Sequence, residues 1–185
     1  MTALETDRLI LREFEEGDWQ AVHEYASDPE VVRYVEWGPN TEADTLIFIA
    51  QALVQRKQPR GYYGFAVVLK AERQLIGGCS LVVSDPELRE GWIGYVFNRR
   101  FWGHGYATEV TRALLAFGFE QLGLHRIFAT CDPANVASAR VLKKTGMRRE
   151  GHLREHKWQK GEWRDSYLYA ILDHEWKRLN AAGVG

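Results

Sequence analysis

The stretch NRRFWGHGYATEV, residues 98–110, places two glycines one residue apart, behind two arginines and before a segment that favours a helix. Glycine lacks a Cβ atom, so its backbone can approach a ligand closely and can adopt a positive φ. The first N–H groups of a helix lack partners within the helix, and the helix dipole places partial positive charge there. Such a loop can hold a phosphate, with Arg99, Arg100 and His104 adding charge from the rim. The alternative is a plain tight turn, and the pattern alone leaves both interpretations open.

Two other phosphate-binding motifs do not fit the chain. There is no GxxxxGK[ST] sequence, which excludes a P-loop of the NTPase type. The segment GHGYAT departs from GxGxxG at its last glycine, and no acidic strand end follows about twenty residues later. A nucleotide or dinucleotide enzyme is therefore the least favoured of the functions considered.

Composition limits the class of protein. The 185 residues suit one domain, residues 1–185, and a 45% hydrophobic content is enough for a sizeable core. The 24 Lys and Arg residues nearly balance the 25 Asp and Glu residues, which argues against nucleic acid as a direct partner. The two cysteines, Cys79 and Cys131, lie far apart and indicate reduced thiols. No leader segment or membrane span is expected, so we expect a cytoplasmic protein.

The positioning elements alternate in type along the chain. Strands are predicted at residues 8–14, 62–70, 74–83, 91–97, 126–131, 147–158 and 163–172. Helices are predicted after the caps Asp18, Thr41 and Asn135, at residues 107–121, and at residues 173–180. This order predicts an α+β fold of α/β layers, with a mixed sheet of about seven strands and interleaved helices.

The glycine-containing stretch resembles a motif of a known family. FWGHGYATEV is similar to the coenzyme A pyrophosphate loop of the GNAT acyltransferases, whose pattern is Q/R-x-x-G-x-G/A. We place the motif at residues 102–107, with Trp102 replacing the usual Gln or Arg; a start at Arg100 matches Arg100, Gly103 and Gly105 as well. The form Trp-Gly-x-Gly-Tyr-Ala-Thr-Glu resembles one branch, the RimJ/RimL-type N-acetyltransferases.

Three further stretches resemble the same branch in the same order. They are ETDRLILREF, NVASARVLKKTGMRREG and GEWRDSYLYAIL. The resemblance covers nearly the whole chain, and residues 39–60 form the variable part in which such proteins build substrate pockets. It implies the GNAT fold, with a mostly antiparallel mixed sheet and helices on both faces.

The resemblance also implies where acetyl-coenzyme A binds. The pyrophosphate is expected on the backbone of Trp102, Gly103, His104, Gly105, Tyr106, Ala107 and Thr108. The pantetheine arm is expected beside the backbone of Tyr95 and Phe97, which requires the strand that ends at Phe97 to separate from RIFATC. Asn135 is expected to face the arm while it caps its own helix. No metal is expected, because we place His152 and His156 on a strand without a third ligand.

The implied catalytic residues are Ser138 and Glu90. Ser138 lies one helical turn after Asn135 and is the candidate donor to the departing thiolate, since the position at which many GNAT enzymes carry a tyrosine is Leu142. The alternative for Ser138 is a hydroxyl bonded to its own helix. Glu90 is the candidate base or, alternatively, a solvated turn residue; Asp165 and Glu162 are weaker candidates.

The implied reaction is direct attack of a primary amine on acetyl-coenzyme A. The expected acceptor is the N-terminal α-amine of a protein or peptide. A small amine, such as an antibiotic, a polyamine or an amino-acid derivative, is the second choice. A binding module that has kept the coenzyme site and lost catalysis is a rival from another class. A homodimer is one option, since the sequence does not fix the oligomeric state.

Overall fold

A computed structural model describes residues 3–55 and 61–181 of the chain as one mixed sheet with helices on both faces. The strands are β1 (Leu4–Glu5), β2 (Leu9–Arg12), β3 (Tyr62–Leu69), β4 (Gln74–Asp85), β5 (Glu90–Phe97), β6 (Arg126–Cys131), β7 (Arg148–Gln159) and β8 (Glu162–Leu172). The helices are α1 (Trp19–Ala26), α2 (Glu42–Gln55), α3 (Tyr106–Ala116), α4 (Val136–Lys144) and α5 (Asp173–Ala181). None of these helices is long and apolar enough to cross a membrane.

The strand order is β1-β2-β3-β4-β5-β6-β8-β7. Neighbouring strands are antiparallel except β5 and β6, which run parallel. Parallel neighbours require a crossover connection, and here the chain between them forms the glycine loop and α3. This parallel pair lies within the sheet, with further strands on both sides of it.

The sheet has eight strands where the sequence predicted about seven. The additional strand, β1, has two residues and pairs with β2 through Leu4 and Leu11. The chain reverses between them through a turn in which the Thr6 N–H donates to Leu9 O. Two residues are too few for an alternating pattern, which is why the sequence did not show this strand.

Two cores cover the two faces of the sheet. On one face, α3 contributes Val110 and Leu114, α4 contributes Leu142 and α5 contributes Trp176. On the other face, α1 and α2 pack against β3 and β4 through a second set of buried residues, which includes Val22, Tyr25, Ile49, Ala66 and Val68. Because both faces are covered, the strands in the middle are buried on both sides and lack clean alternation.

The helix caps agree with the sequence at two positions and differ at a third. Asn135 Oδ1 accepts from the Ser138 N–H at 3.0 Å, and Thr41 forms a reciprocal cap with Asp44. Helix α1 begins after Asp18 as predicted, but the Asp18 carboxylate does not cap it. It forms a charge-assisted pair with the Arg12 guanidinium at 2.7 Å and 2.8 Å, and also accepts from the Glu15 N–H at 2.8 Å.

Candidate active site

A cleft opens in the sheet where β5 and β6 separate. The two strands pair over only three residues each, 90–92 and 126–128. Beyond these pairs, residues 93–96 and 129–131 line a cavity of about 1020 Å³. The predicted separation of β5 from RIFATC is therefore confirmed. It frees the backbone groups of β5 on that side to bond a ligand.

The glycine loop lies beyond the end of β5 and leads into the N-terminus of α3. Gly103 and Gly105 have φ values of +82° and +83°, which residues with a Cβ rarely adopt. A Cβ on Gly103 would meet no heavy atom within 4 Å, so open space lies beside the loop. In the first turn of α3, the N–H groups of Tyr106 and Ala107 bond to no carbonyl of the described residues. Space and unpaired donors at a helix N-terminus are what a pyrophosphate requires.

The positions of the glycines bear on the register of the motif. A start at Arg100 assigns the two glycine positions to Gly103 and Gly105, and both of these residues have positive φ. A start at Trp102 assigns the second position to Ala107, which already lies within α3. The last position of the pattern also admits alanine, so these φ values are compatible with both registers. The Trp102 indole Nε1–H donates to Phe97 O at 2.9 Å, which ties the loop to β5.

Charged side chains hold the loop from the direction of β2. Arg8 donates to His104 O at 3.0 Å, and its guanidinium lies 4.6 Å from the centroid of the Tyr106 ring. Glu109, in the first turn of α3, binds Arg8 and also accepts from the Arg8 backbone N–H at 3.0 Å. The His104 and Tyr106 rings stack with centroids 5.7 Å apart. The glycine loop is therefore held by a network of contacts that joins it to Arg8, which is 96 positions before His104 in the sequence.

The cleft brings Tyr95, Asn135 and Ser138 together. Tyr95 Oη on β5 lies 2.9 Å from Ser138 Oγ on α4. The cap formed by Asn135 fixes the start of α4, so Ser138 faces the gap. Burial raises the pKa of Tyr95, and the hydrogen bond with Ser138 opposes that rise in part. The tyrosine therefore stays protonated at neutral pH and remains a hydrogen-bond donor.

Glu90 does not line this cleft. It accepts from Arg126 Nε at 2.9 Å, at the end where β5 and β6 are still paired. Arg126 also binds Glu150 through both terminal nitrogens, at 3.0 Å and 2.6 Å. The carboxylate of Glu90 is thus part of an ion-pair network between strands. A role as base stays a prediction, and this geometry gives it no support.

The two weaker base candidates also have other partners. Asp165 lies 2.6 Å from His152 Nε2 and accepts from the Glu155 N–H. Glu162 binds Arg164 at 2.6 Å. Neither carboxylate is among the described residues that line the cavity.

The part of the cleft away from the β5–β6 gap is rich in aromatic side chains, and we call it the aromatic half. Its aromatic wall residues come from β3, β5, α2 and the segments on either side of α1: Phe14, Tyr34, Trp37, Phe48, Tyr62 and Trp92. The β7–β8 hairpin closes one side, since Lys157 pairs with Glu36 and Gln159 Nε2 donates to Val35 O at 2.7 Å. Trp37, which the sequence placed in a loop, is 40% exposed and lies on this wall. This half has room and apolar surface for an acceptor molecule.

The structure separates the predicted residues into groups. Tyr95, Asn135 and Ser138 share the cleft, whereas Trp102 to Gly105 form the glycine loop and Tyr106 to Thr108 form the first turn of α3. The Phe97 side chain is buried in the core, so only its backbone can reach a ligand. The sequence did not lead us to predict two features of the site. The place of the Tyr95 side chain in the cleft could have been predicted, since alternation along β5 puts it on the face that α4 covers. The ion pair of Arg8 with Glu109 has no local sequence pattern that would predict it.

Comparisons with known proteins identify the family of the chain. Residues 8–148 match the family model described as acetyltransferase (GNAT) domain. A Bacillus subtilis protein named uncharacterized N-acetyltransferase YnaD is 44% identical over 171 residues, which are 92% of this chain and 97% of that protein. A crystal structure of a GNAT-family acetyltransferase from Bacillus anthracis has 40% identity and a TM-score of 0.84, and the match covers 94% of this chain and 99% of that one.

A third relative has a named acceptor. The [ribosomal protein uS5]-alanine N-acetyltransferase of Escherichia coli is 26% identical over 181 residues. The match covers 94% of this chain and 92% of that protein.

Proposed function

Since the chain belongs to the GNAT family of acetyltransferases and is an acetyl-coenzyme A-dependent N-acetyltransferase, we propose that it acetylates the N-terminal α-amine of a protein or peptide. The observation that carries the proposal is one cavity that includes the gap between β5 and β6 and the aromatic half of the cleft, while the glycine loop follows the end of β5 that borders this gap. A donor in the gap and an acceptor in the aromatic half would meet beside Tyr95 and Ser138.

The donor side fits coenzyme A. The unpaired N–H groups at the start of α3 match a pyrophosphate, and the loop has open space beside Gly103. The separated edge of β5 suits the amide-bearing pantetheine arm, because backbone N–H and C=O groups without a strand partner there can form hydrogen bonds with its amides. We assign pyrophosphate binding to residues 102–108, and pantetheine binding to the backbone of Tyr95 and Phe97 together with Asn135.

Little general-base catalysis is needed when the nucleophile is an α-amine. Its pKa is about 7.7–8.0, so a substantial fraction is neutral at pH 7. A lysine side chain, with a pKa of about 10.4, would require deprotonation by the enzyme. Orientation of the amine against the thioester is then the main contribution of the protein. The absence of Glu90 from the cleft wall is consistent with this acceptor class.

The acceptor assignment has one further support. The uS5-alanine acetyltransferase, which is similar over most of both chains, acts on the amino group of a protein's alanine according to its name. The aromatic half of the cleft suits a first residue with an apolar side chain.

A thiol-release assay with matched acceptors tests the proposal. One peptide carries a free α-amine and no lysine. Its partner has a formylated N-terminus and differs in sequence only by one lysine. Spermidine and a simple monoamine complete the panel. We expect kcat/KM to be highest, by about tenfold, for the free α-amine, with mass spectrometry locating the acetyl group there. Preference for a small amine would refute the acceptor class, and tight coenzyme binding without turnover on any amine would indicate a binding module.

A further inference from the structure

The hydrogen bond between Tyr95 and Ser138 joins two elements on opposite sides of the catalytic gap. Tyr95 belongs to β5 and Ser138 to α4, and their hydroxyl oxygens are 2.9 Å apart. Both side chains line the cavity. A bond between hydroxyls in this place is not required for helix or sheet formation. It can therefore be removed without loss of a backbone contact.

Ser138 does not use its hydroxyl within its own helix. A serine in a helix often bonds the carbonyl one turn earlier. Within residues 3–55 and 61–181, the hydroxyl of Ser138 bonds Tyr95, and its backbone N–H binds Asn135. The intrahelical alternative that the sequence left open is therefore not adopted.

Tyr95 is suited to be the donor of the pair. Because burial keeps the phenol protonated, its O–H can donate to Ser138 Oγ. A serine hydroxyl that accepts one hydrogen bond becomes a better donor through its own proton. That proton is then free to point into the gap. Leu142, one turn further along α4, is buried and has no polar atom to offer.

We propose that Tyr95 is a positioning residue that aligns the Ser138 hydroxyl toward the departing thiolate. The inference rests on the proposed function. In the transfer step the amine nitrogen forms a bond to the acetyl carbon, the carbon–sulfur bond breaks, and its electron pair remains on sulfur. Ser138 donates a hydrogen bond to that sulfur while Tyr95 donates to Ser138. The amine loses a proton to solvent and sulfur later takes one from solvent, so charge and atoms balance.

Hydroxyl deletions and a change of leaving group test the relay together. The variants are Tyr95→Phe, Ser138→Ala and the double variant, with Ser138→Thr as the form that keeps a hydroxyl. Tyr169→Phe is the matched control, because Tyr169 is a buried strand tyrosine that does not line the cleft. Each variant is assayed with acetyl-coenzyme A and with its analogue that has selenium in place of sulfur. Calorimetry with coenzyme A checks that each variant is folded and binds.

We expect kcat with acetyl-coenzyme A to fall by about tenfold in both Tyr95→Phe and Ser138→Ala, the loss typical of one hydrogen bond to a charged group. KM for both substrates should change little, and the double variant should be no slower than Ser138→Ala alone. A selenolate is a weaker base and needs less stabilisation, so the loss should shrink to less than about threefold with the selenium donor. Tyr169→Phe should stay near wild type, and Ser138→Thr, which keeps a hydroxyl, should lose less activity than Ser138→Ala.

Three results would overturn the inference: full kcat in Tyr95→Phe, losses that multiply in the double variant, or equal losses with the sulfur and selenium donors. Equal losses would assign Tyr95 a purely structural role. These results leave the proposed function intact, because wild type still transfers acetyl groups. Failure of wild type to acetylate any amine would remove the proposed function and the inference with it.

Discussion

Arg8 and Glu109 join the residue before β2 to the first turn of α3: Nε and Nη2 of Arg8 lie 2.7 Å and 2.6 Å from Oε2 of Glu109. The two residues are 101 positions apart in sequence. The same guanidinium donates to His104 O in the glycine loop. The glycine loop is therefore held by a residue that is distant in sequence, and Glu109 orients that residue.

Removal of the Arg8 side chain should weaken coenzyme binding. Arg8→Ala deletes the bond to His104 O and a positive charge near the proposed pyrophosphate site, and both losses act in the same direction. We expect the dissociation constant of coenzyme A, measured by calorimetry, to rise by about threefold to tenfold. Arg178→Ala removes an equal charge from the exposed face of α5 and should leave the constant unchanged. Equal affinity in the two variants would contradict the positioning role.

The ion pair also predicts how stability depends on pH. Burial alone would raise the pKa of Glu109, but hydrogen bonds from Thr6 and Arg8 outweigh it and hold the pKa below the ordinary value. The carboxylate therefore stabilises the folded state fully above the unfolded value of about 4.3, and this stabilisation is lost as pH falls through the folded pKa. The free energy of unfolding of wild type, measured against pH by denaturant titration, should fall more steeply in that acid range than that of Glu109→Gln. Parallel curves would contradict this account.

Local pattern predicted the elements well but not their partners. Alternation and caps located β5, α3 and α4, because those signals lie within a few residues of one another. The resemblance to a family then placed Asn135 and Ser138 on one side of the gap. The bond from Tyr95 to Ser138 spans 43 residues, and that from Glu109 to Arg8 spans 101. Such contacts depend on the register and twist of the sheet, which no local window contains.

Glu90 shows a second limit of prediction from sequence. Its place at the start of β5 is correct, since the strand begins at that residue. Its function was inferred from the resemblance alone, and the sequence did not show that Arg126 would lie opposite it on β6. An ion-pair partner on a neighbouring strand is decided by register, so a carboxylate at a suitable position along the chain can still face away from the chemistry.

Replacement of Glu90 by glutamine should affect stability more than turnover. The substitution removes one of the two carboxylates that hold Arg126, at 2.9 Å, and leaves the cleft wall unchanged. We expect a loss of about 0.5–1 kcal/mol in the free energy of unfolding, since the pair is partly exposed. The pH profile of kcat/KM should keep the wild-type shape. A profile that shifts toward alkaline pH, with kcat reduced by about a hundredfold, would restore Glu90 as the base.

Arg164 and Asp132 allow a test of how α4 is supported. Asp132 is nearly buried, binds Arg164 Nε at 2.9 Å, and accepts from the Ala134 N–H just before α4. Arg164→Ala leaves that carboxylate without its cation, so we expect a loss of about 2 kcal/mol in the free energy of unfolding. Asp132→Asn combined with Arg164→Ala removes the unpaired charge and should recover about half of the loss. Additive losses in the double variant would show that the two residues act independently.

The glycine loop offers the sharpest comparison between backbone strain and ligand binding. Gly103 and Gly123 have φ of +82° and +66°, and a Cβ at either would meet no heavy atom within 4 Å. Alanine at each position should therefore lower the free energy of unfolding by a similar amount, about 1–2 kcal/mol, from the left-handed backbone alone. The two variants differ in what lies beside the new methyl group, which is the proposed pyrophosphate site for Gly103 and the turn before β6 for Gly123.

Only Gly103→Ala should raise the dissociation constant of coenzyme A, by about tenfold, because its methyl group occupies space that the phosphate oxygens need. Calorimetry with coenzyme A and with the coenzyme fragment pantetheine, which lacks phosphates, separates the two halves of the donor site. Pantetheine binding should be equal in wild type and both variants. Coenzyme A binding that is equally weakened in Gly103→Ala and Gly123→Ala would mean that general loosening of the fold, not contact with the pyrophosphate, controls affinity. The diphosphate would then have to be placed elsewhere.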